Sequence, residues 1–288
     1  MFSRIAAGLV ATLLVQQPLF HVDTRLVVVQ ATVQNTRGEV VTNLERGAFT
    51  VYENGKRQPI MLFGREDVPV SIGLLIDNSG SMRSLRAQVE AAALAFARAS
   101  NPRDEMFVLN FADRPRVDVP FTSDVRVLEA GIARVDSIGG TAMWDAVEAA
   151  ETYIEAGTRD RKVLVVITDG GDNASLGTAD RVRRRAEQGN VVVDAIGLFG
   201  ETASAKGARH DLDQLTEYTG GIAYYPTSID QIDRVAVDLA QQIRKQYTIA
   251  YAPVNQTLDG TYRAIKVTVA AKEQVVVRTR PGYRATAP

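Results

Sequence analysis

Val70-Ser71-Ile72-Gly73-Leu74-Leu75-Ile76-Asp77-Asn78-Ser79-Gly80-Ser81-Met82 reads as a buried strand that ends in a cluster of small polar residues. The run from Val70 to Ile76 lacks the in-and-out alternation of a half-exposed strand. It suits a strand covered on both faces, as in a parallel sheet. The segment that follows, Leu85 to Ala99, has helical character. Asp77, Ser79 and Ser81 therefore emerge at the carboxyl end of a strand, where open α/β folds bind their ligands.

The same rhythm continues outward. Apolar runs recur at Met106 to Phe111, Val163 to Ile167 and Val191 to Ile196. Helix-like segments lie between them at Val125 to Val135, Ala142 to Ala156 and Ala179 to Gln188. This alternation predicts an α/β domain over 68–245, built on a doubly wound, mostly parallel, Rossmann-like sheet. Its last helix, Ile229 to Arg244, places Ile229, Ile232, Val235, Ala236, Leu239 and Ile243 at helical spacing, so that face packs on the sheet.

The flanks read differently. Leu26 to Val29, Ala31 to Val33 and Phe49 to Tyr52 are strand-like, and Asn54-Gly55 signals a hairpin whose return strand is expected at Ile60 to Phe63. Gln246 to Tyr251, Tyr262 to Val269 and Val275 to Thr279 are strand-like too, with a turn at Asp259-Gly260. So few strands are not stable alone. The expectation is one small all-β sandwich, formed by 21–67 and 246–288, into which the α/β domain is inserted.

Composition narrows the function. The 288 residues carry a formal charge of −1, which argues against a nucleic-acid binder. The basic group Arg181 with Arg183 to Arg185 reads as a solvated helix face. With no cysteine, disulfides, thiol catalysis and thiolate-bound zinc are excluded. His21 and His210, the only histidines, lie near no catalytic partner and read as surface residues. At the start, Arg4 precedes an apolar run from Ile5 to Val15, then Gln16-Gln17-Pro18. Residues 1–20 thus read as a secretory signal peptide, although no small-x-small cleavage pattern follows. No later stretch reads as a transmembrane helix. The expected location is periplasmic, cell-surface or secreted.

Two further segments should reach the edge where Asp77 lies. Gly139-Gly140-Thr141 opens the helix beginning at Ala142, and Thr168-Asp169-Gly170-Gly171 follows the strand Val163 to Ile167. Asp77, Ser79, Ser81, Thr141 and Asp169 together offer two carboxylates and three hydroxyls, all hard oxygen donors. Each has a plainer reading: the serines and Thr141 as helix caps, and Asp169-Gly170 as an ordinary turn. Capping does not require all three segments at one sheet edge.

These residues resemble the metal-ion-dependent adhesion site of the von Willebrand factor type A (VWA) family. The Asp-x-Ser-x-Ser, Thr and Asp elements occur in the family's order, within a resemblance spanning about Val68 to Lys245. The flanking strands are similar to those of bacterial exported VWA-related proteins. The resemblance implies one bound Mg2+ or Mn2+, with Ser79, Ser81 and Thr141 at the ion and Asp77 and Asp169 acting partly through water. Both ions favour octahedral oxygen coordination. Three neutral hydroxyls leave the ion's charge incompletely compensated, so an Asp or Glu of a partner protein would be a favoured further ligand. Trp144 suits a partner contact or a packing role, Asp145 a bond that holds the loop, and Asp172 and Asn173 ordinary loop polarity.

The function expected is metal-dependent binding of a protein, with no small-molecule substrate and no catalysis. An aspartyl phosphatase needs a second carboxylate where Ser79 stands. There is no Gly-x-Ser-x-Gly with a histidine base, no Gly-x-x-x-x-Gly-Lys and no Gly-x-Gly-x-x-Gly. The alternatives are an envelope scaffold whose metal only stabilises it and, with less support, a metal-assisted hydrolase.

Overall fold

Three sheets organise the chain in the computed structural model, which describes residues 25–132, 138–199 and 203–286. The signal-like segment 1–20, His21 and the end of the expected Val125–Val135 helix lie outside the described residues. The first four strands are β1 (Val27–Asn35), β2 (Phe49–Glu53), β3 (Lys56–Gln58) and β4 (Ile60–Gly64). The last four are β11 (Tyr247–Tyr251), β12 (Tyr262–Val269), β13 (Val275–Arg278) and β14 (Gly282–Arg284). They interleave in two sheets, ordered β13-β1-β11-β4 and β14-β12-β2-β3. The inner faces share one core in which Val29, Ala31, Val51, Tyr247, Ile249 and Tyr251 are fully buried. This is the sandwich expected from the flanks, built from both ends of the chain.

One detail differs from expectation. The return strand of the Asn54-Gly55 hairpin is β3, with Glu53 opposite Lys56 and Val51 opposite Gln58. Asn54 and Gly55 both adopt positive φ, as a two-residue hairpin turn demands. Pro59 has no N–H to extend that ladder. The chain crosses there to the other sheet, and β4 pairs with β11 instead.

Between β4 and β11 lies the α/β domain. Its elements are β5 (Val70–Asp77), α1 (Arg86–Ala99), β6 (Glu105–Phe111), β7 (Pro115–Thr122), α2 (Val125–Ile132) and α3 (Met143–Tyr153). There follow β8 (Arg161–Thr168), α4 (Ala179–Ala186), β9 (Val191–Gly197), α5 (Ala203–Thr219), β10 (Ala223–Tyr224) and α6 (Ile232–Arg244). The six strands are ordered β10-β9-β8-β5-β6-β7, parallel except for β7. All eight residues of β5 are buried, because helices cover both faces. Ile72, Leu74 and Ile76 pack under α1, α2 and α6, while Leu75 packs under α3, α4 and α5. Gly73 lies on that second face, where an added Cβ would stand 2.4 Å from the Phe107 ring.

Four elements escape the sequence pattern: the short β10 and β14, and the longer β7 and α5. β7 contains Pro115 and Pro120, which an edge strand tolerates and a central one does not. α5 is largely polar, and Ala208, Leu212 and Leu215 are its buried apolar residues, whose spacing makes one narrow stripe. The order of the sheet reverses around β5, with β6 on one side and β8 on the other. That reversal opens a crevice at the carboxyl ends of β5 and β8, the usual ligand position in such folds.

Candidate metal centre

Asp77 is the last residue of β5, and Thr168 the last of β8. Adjacent parallel pairing brings these two ends together. The Thr168 hydroxyl donates to Asp77 Oδ2 at 2.5 Å, and the Ser79 N–H donates to Asp77 Oδ1 at 2.8 Å. The Ser79 and Ser81 hydroxyls lie 3.1 Å apart, and Ser81 Oγ donates to Asp169 Oδ1 at 2.7 Å. Four of the five expected ligands therefore form one hydrogen-bonded chain across the crevice.

Thr141 reaches the same crevice from a third loop. Gly80 N–H donates to Gly139 O and Ile138 N–H to Asn78 O, both at 3.0 Å, so this loop is laced to the Asp77–Met82 segment. Gly139 adopts a φ of 96° and lies against Asp113, whose carboxylate accepts from Gly140 N–H at 2.7 Å. On its other side the Thr141 N–H donates to Asn173 Oδ1 at 2.8 Å, and Thr141 O accepts from Asn173 N–H at 3.0 Å. The Thr141 hydroxyl faces the Asp169 loop: a Cβ on Gly170 would stand 3.6 Å from it.

The capping readings of these hydroxyls are not the ones the fold uses. Ser79 precedes the short 3-10 turn Gly80–Ser84 but makes no side-chain cap bond, and the N-cap of α3 is Ala142, not Thr141. Asp77, Ser79 and Thr141 are buried, Asp169 is half-buried, and Ser81 is exposed at the mouth. Burial pushes the Asp77 carboxyl up to about 6; its hydrogen bonds oppose this, and the nearby Asp169 adds to it. Burial also raises Asp169. Two adjoining carboxylates that resist ionising are an environment a divalent cation reverses, since it becomes the largest local charge. Oxygen donors alone, two of them carboxylates, fit a hard cation. Among the described residues no group of three His, Cys, Asp or Glu side chains forms a softer or more acidic metal site.

The remaining residues that the sequence singled out have plain places. Trp144 is buried in the core under α3, and His210 is exposed on α5. Asp145 accepts from Leu176 and Gly177 N–H groups, and so holds the loop after β8. Asp172 and Asn173 each bind backbone at the start of α3. Asp113 had no signal in the sequence, because its partner lies on a loop remote along the chain.

Residues 72–171 match the family model of the von Willebrand factor type A domain. The chain carries a VWA domain. Solved structures with a similar fold include proximal thread matrix protein 1 from the mussel byssus, at 17% identity and a TM-score of 0.54 over 67% of this chain and 51% of that one. A second structure of that protein, covering 66% of this chain and 49% of that one at the same identity and TM-score, has a zinc-occupied MIDAS motif. This chain thus spans about half the length of the mussel protein chains. A von Willebrand factor type A protein from Catenulispora acidiphila matches 93% of this chain and 75% of its own, at 12% identity and a TM-score of 0.54. The vWF domain of the type V pili tip protein Mfa5 from Porphyromonas gingivalis matches 62% of this chain and 95% of its own, at 12% identity and a TM-score of 0.51. At these identities the likeness is one of fold. No curated protein matches the sequence. Among the described residues no helix is long and apolar enough to cross a membrane.

Proposed function

We propose that this VWA domain is a divalent-metal-dependent protein-binding module that acts outside the cytoplasm, in the periplasm, at the cell surface or as a secreted protein. Asp77, Ser79, Ser81, Thr141 and Asp169 hold one Mg2+ or Mn2+. An Asp or Glu carboxylate of the partner protein completes the coordination, and no reaction is catalysed. The observation that carries this reading is the hydrogen-bonded chain from Thr168 through Asp77, Ser79 and Ser81 to Asp169, at the carboxyl edge of the sheet. Its hydroxyls serve no cap, and its two carboxylates have no cationic partner among their hydrogen bonds. The zinc-occupied motif of the mussel thread protein supports a metal here, and the pilus-tip protein of similar fold supports a place outside the cytoplasm.

The cation supplies an electrophilic binding point for a carboxylate. Asp77 and Thr168 fix the floor of the site, and Ser81 and Asp169 form its rim. The test is calorimetric titration of Mg2+ into the metal-free protein and into Asp77→Ala. Binding is expected in the first and not in the second, and unchanged affinity in Asp77→Ala overturns the assignment. Partner capture from envelope or extracellular material should be lost in EDTA and restored by Mg2+ or Mn2+. Capture that survives EDTA points instead to a scaffold whose contacts run through the sandwich.

A further inference from the structure

The loop after β8 makes more bonds than are needed to carry Asp169. The first N–H groups of a helix have no partner inside it, and the N-cap of α3 provides no side-chain bond. They are met from across the crevice. Trp144 N–H donates to Asp172 Oδ2 at 3.0 Å, and Asp145 N–H donates to Ser175 Oγ at 3.1 Å. Ser175 Oγ donates in turn to Asp172 Oδ2 at 2.5 Å. The exchange is reciprocal, because the Asp145 carboxylate, on the first turn of α3, accepts from Leu176 N–H at 2.9 Å and Gly177 N–H at 2.8 Å. Contact is close enough that a Cβ on Gly177 would stand 2.9 Å from Asp145 Oδ1.

This clasp ties the helix that Thr141 precedes to the loop that Asp169 opens. It therefore governs the gap between two of the proposed ligands. Mg2+ needs near-octahedral geometry with oxygens at about 2.0–2.1 Å, whereas Ca2+ accepts irregular sets at about 2.3–2.6 Å. A gap held rigid discriminates between them, and a gap free to widen does not. We propose that Asp145, Asp172 and Ser175 are positioning residues that hold the Thr141–Asp169 gap fixed and so set a preference for Mg2+ over Ca2+. This rests on the metal-binding reading of the site.

The experiment is calorimetric titration of the metal-free full chain with Mg2+ and, separately, with Ca2+. The proteins are wild type, Asp145→Ala, Asp145→Asn and Ser175→Ala. Asp145→Ala should weaken Mg2+ about tenfold, the lower end for groups that orient metal ligands, and weaken Ca2+ less. Asp145→Asn should recover part of the loss, since one amide oxygen still accepts. Ser175→Ala removes only a hydroxyl and keeps the test open if Asp145→Ala does not fold; its smaller loss should run in the same direction. A purely structural role lowers the unfolding temperature and leaves the Mg2+/Ca2+ ratio unmoved. An unmoved ratio in all three variants overturns the clasp. Wild type that takes up neither ion overturns the metal centre and the clasp with it.

Discussion

Two polar clusters in this molecule are each built on a buried carboxylate that accepts from hydroxyls, and they differ in how far they satisfy themselves. In the sandwich, Glu53 Oε2 accepts from the hydroxyls of Tyr251 and Tyr283 at 2.8 and 2.9 Å, and Glu53 Oε1 lies 3.5 Å from Arg263 Nη1. Arg263 spends its other donors on the carbonyls of Asn255 and Thr257. Glu53 and Arg263 are both almost wholly buried. Burial and the hydrogen bond to Glu53 raise the Tyr251 hydroxyl and push that of Tyr283 up to about 12, so both stay donors. The cluster is closed: Arg263, with the carboxylates of Glu53 and Asp259 at 3.5 and 3.8 Å, and the tyrosine hydroxyls satisfy one another. At the crevice of the α/β domain no Lys or Arg among the described residues hydrogen-bonds to Asp77 or Asp169, and the chain of hydroxyls ends at the exposed Ser81. A closed set belongs to folding, whereas the open set is the one to which the proposed function assigns a metal ion.

The largest expected effect tests the closed cluster. Glu53→Ala leaves two tyrosine hydroxyls buried without their acceptor and takes from the buried Arg263 the nearer of its two carboxylates, the other being Asp259 at 3.8 Å, and should cost about 3–5 kcal/mol of stability in urea unfolding. Asp77→Ala should cost far less in the metal-free protein, because the carboxyl it removes is itself disfavoured by burial. Similar costs for the two would dissolve the contrast.

A third carboxylate sharpens it. Glu151 on α3 is buried, with Arg185 Nε 3.3 Å from its Oε2, yet burial pushes its carboxyl up to about 8, and Glu148 and Glu155 reinforce the rise. Its ordinary value is 4.5. Between these values the folded protein keeps a proton that the unfolded chain has lost. Stability should therefore fall as pH rises from about 4.5 to about 8, then level off. Glu151→Gln should flatten that slope, which urea unfolding at several pH values will show; an unchanged slope would assign the decline to another group.

The smallest effect is the metal's own. An ion that binds only the folded state, at tenfold excess over Kd, should stabilise it by about 1.4 kcal/mol. Mg2+ should raise the unfolding free energy of wild type by that amount in urea titration and leave that of Asp77→Ala where it was. A rise of equal size in both would place the ion elsewhere.

Much of the fold was legible because its signals are local. The buried runs around β5, β6, β8 and β9 exceed what a loop contains, and Asn54-Gly55 names its own turn. Asp77, Ser79, Ser81, Thr141 and Asp169 stood out for the same reason: each follows a strand or opens a helix, and position in an α/β unit determines which edge a residue reaches. α5 was not legible, since three small or branched apolar residues in a polar segment give too weak a period. β7 was hidden by prolines that only an edge position excuses.

The amino-acid sequence alone determined the strand–helix rhythm, the insertion of that domain between two strand-rich flanks, and the oxygen chemistry of the crevice. All three follow from residue type and short spacing. Only the tertiary structure decided that β4 leaves its hairpin neighbour to pair with β11, that Asp113 and Asn173 grip the Thr141 loop, and that Asp145 and Asp172 join α3 to the loop after β8. Those choices unite residues distant along the chain. Burial and geometry select among many partners of equal local merit, and no local pattern records which one is taken.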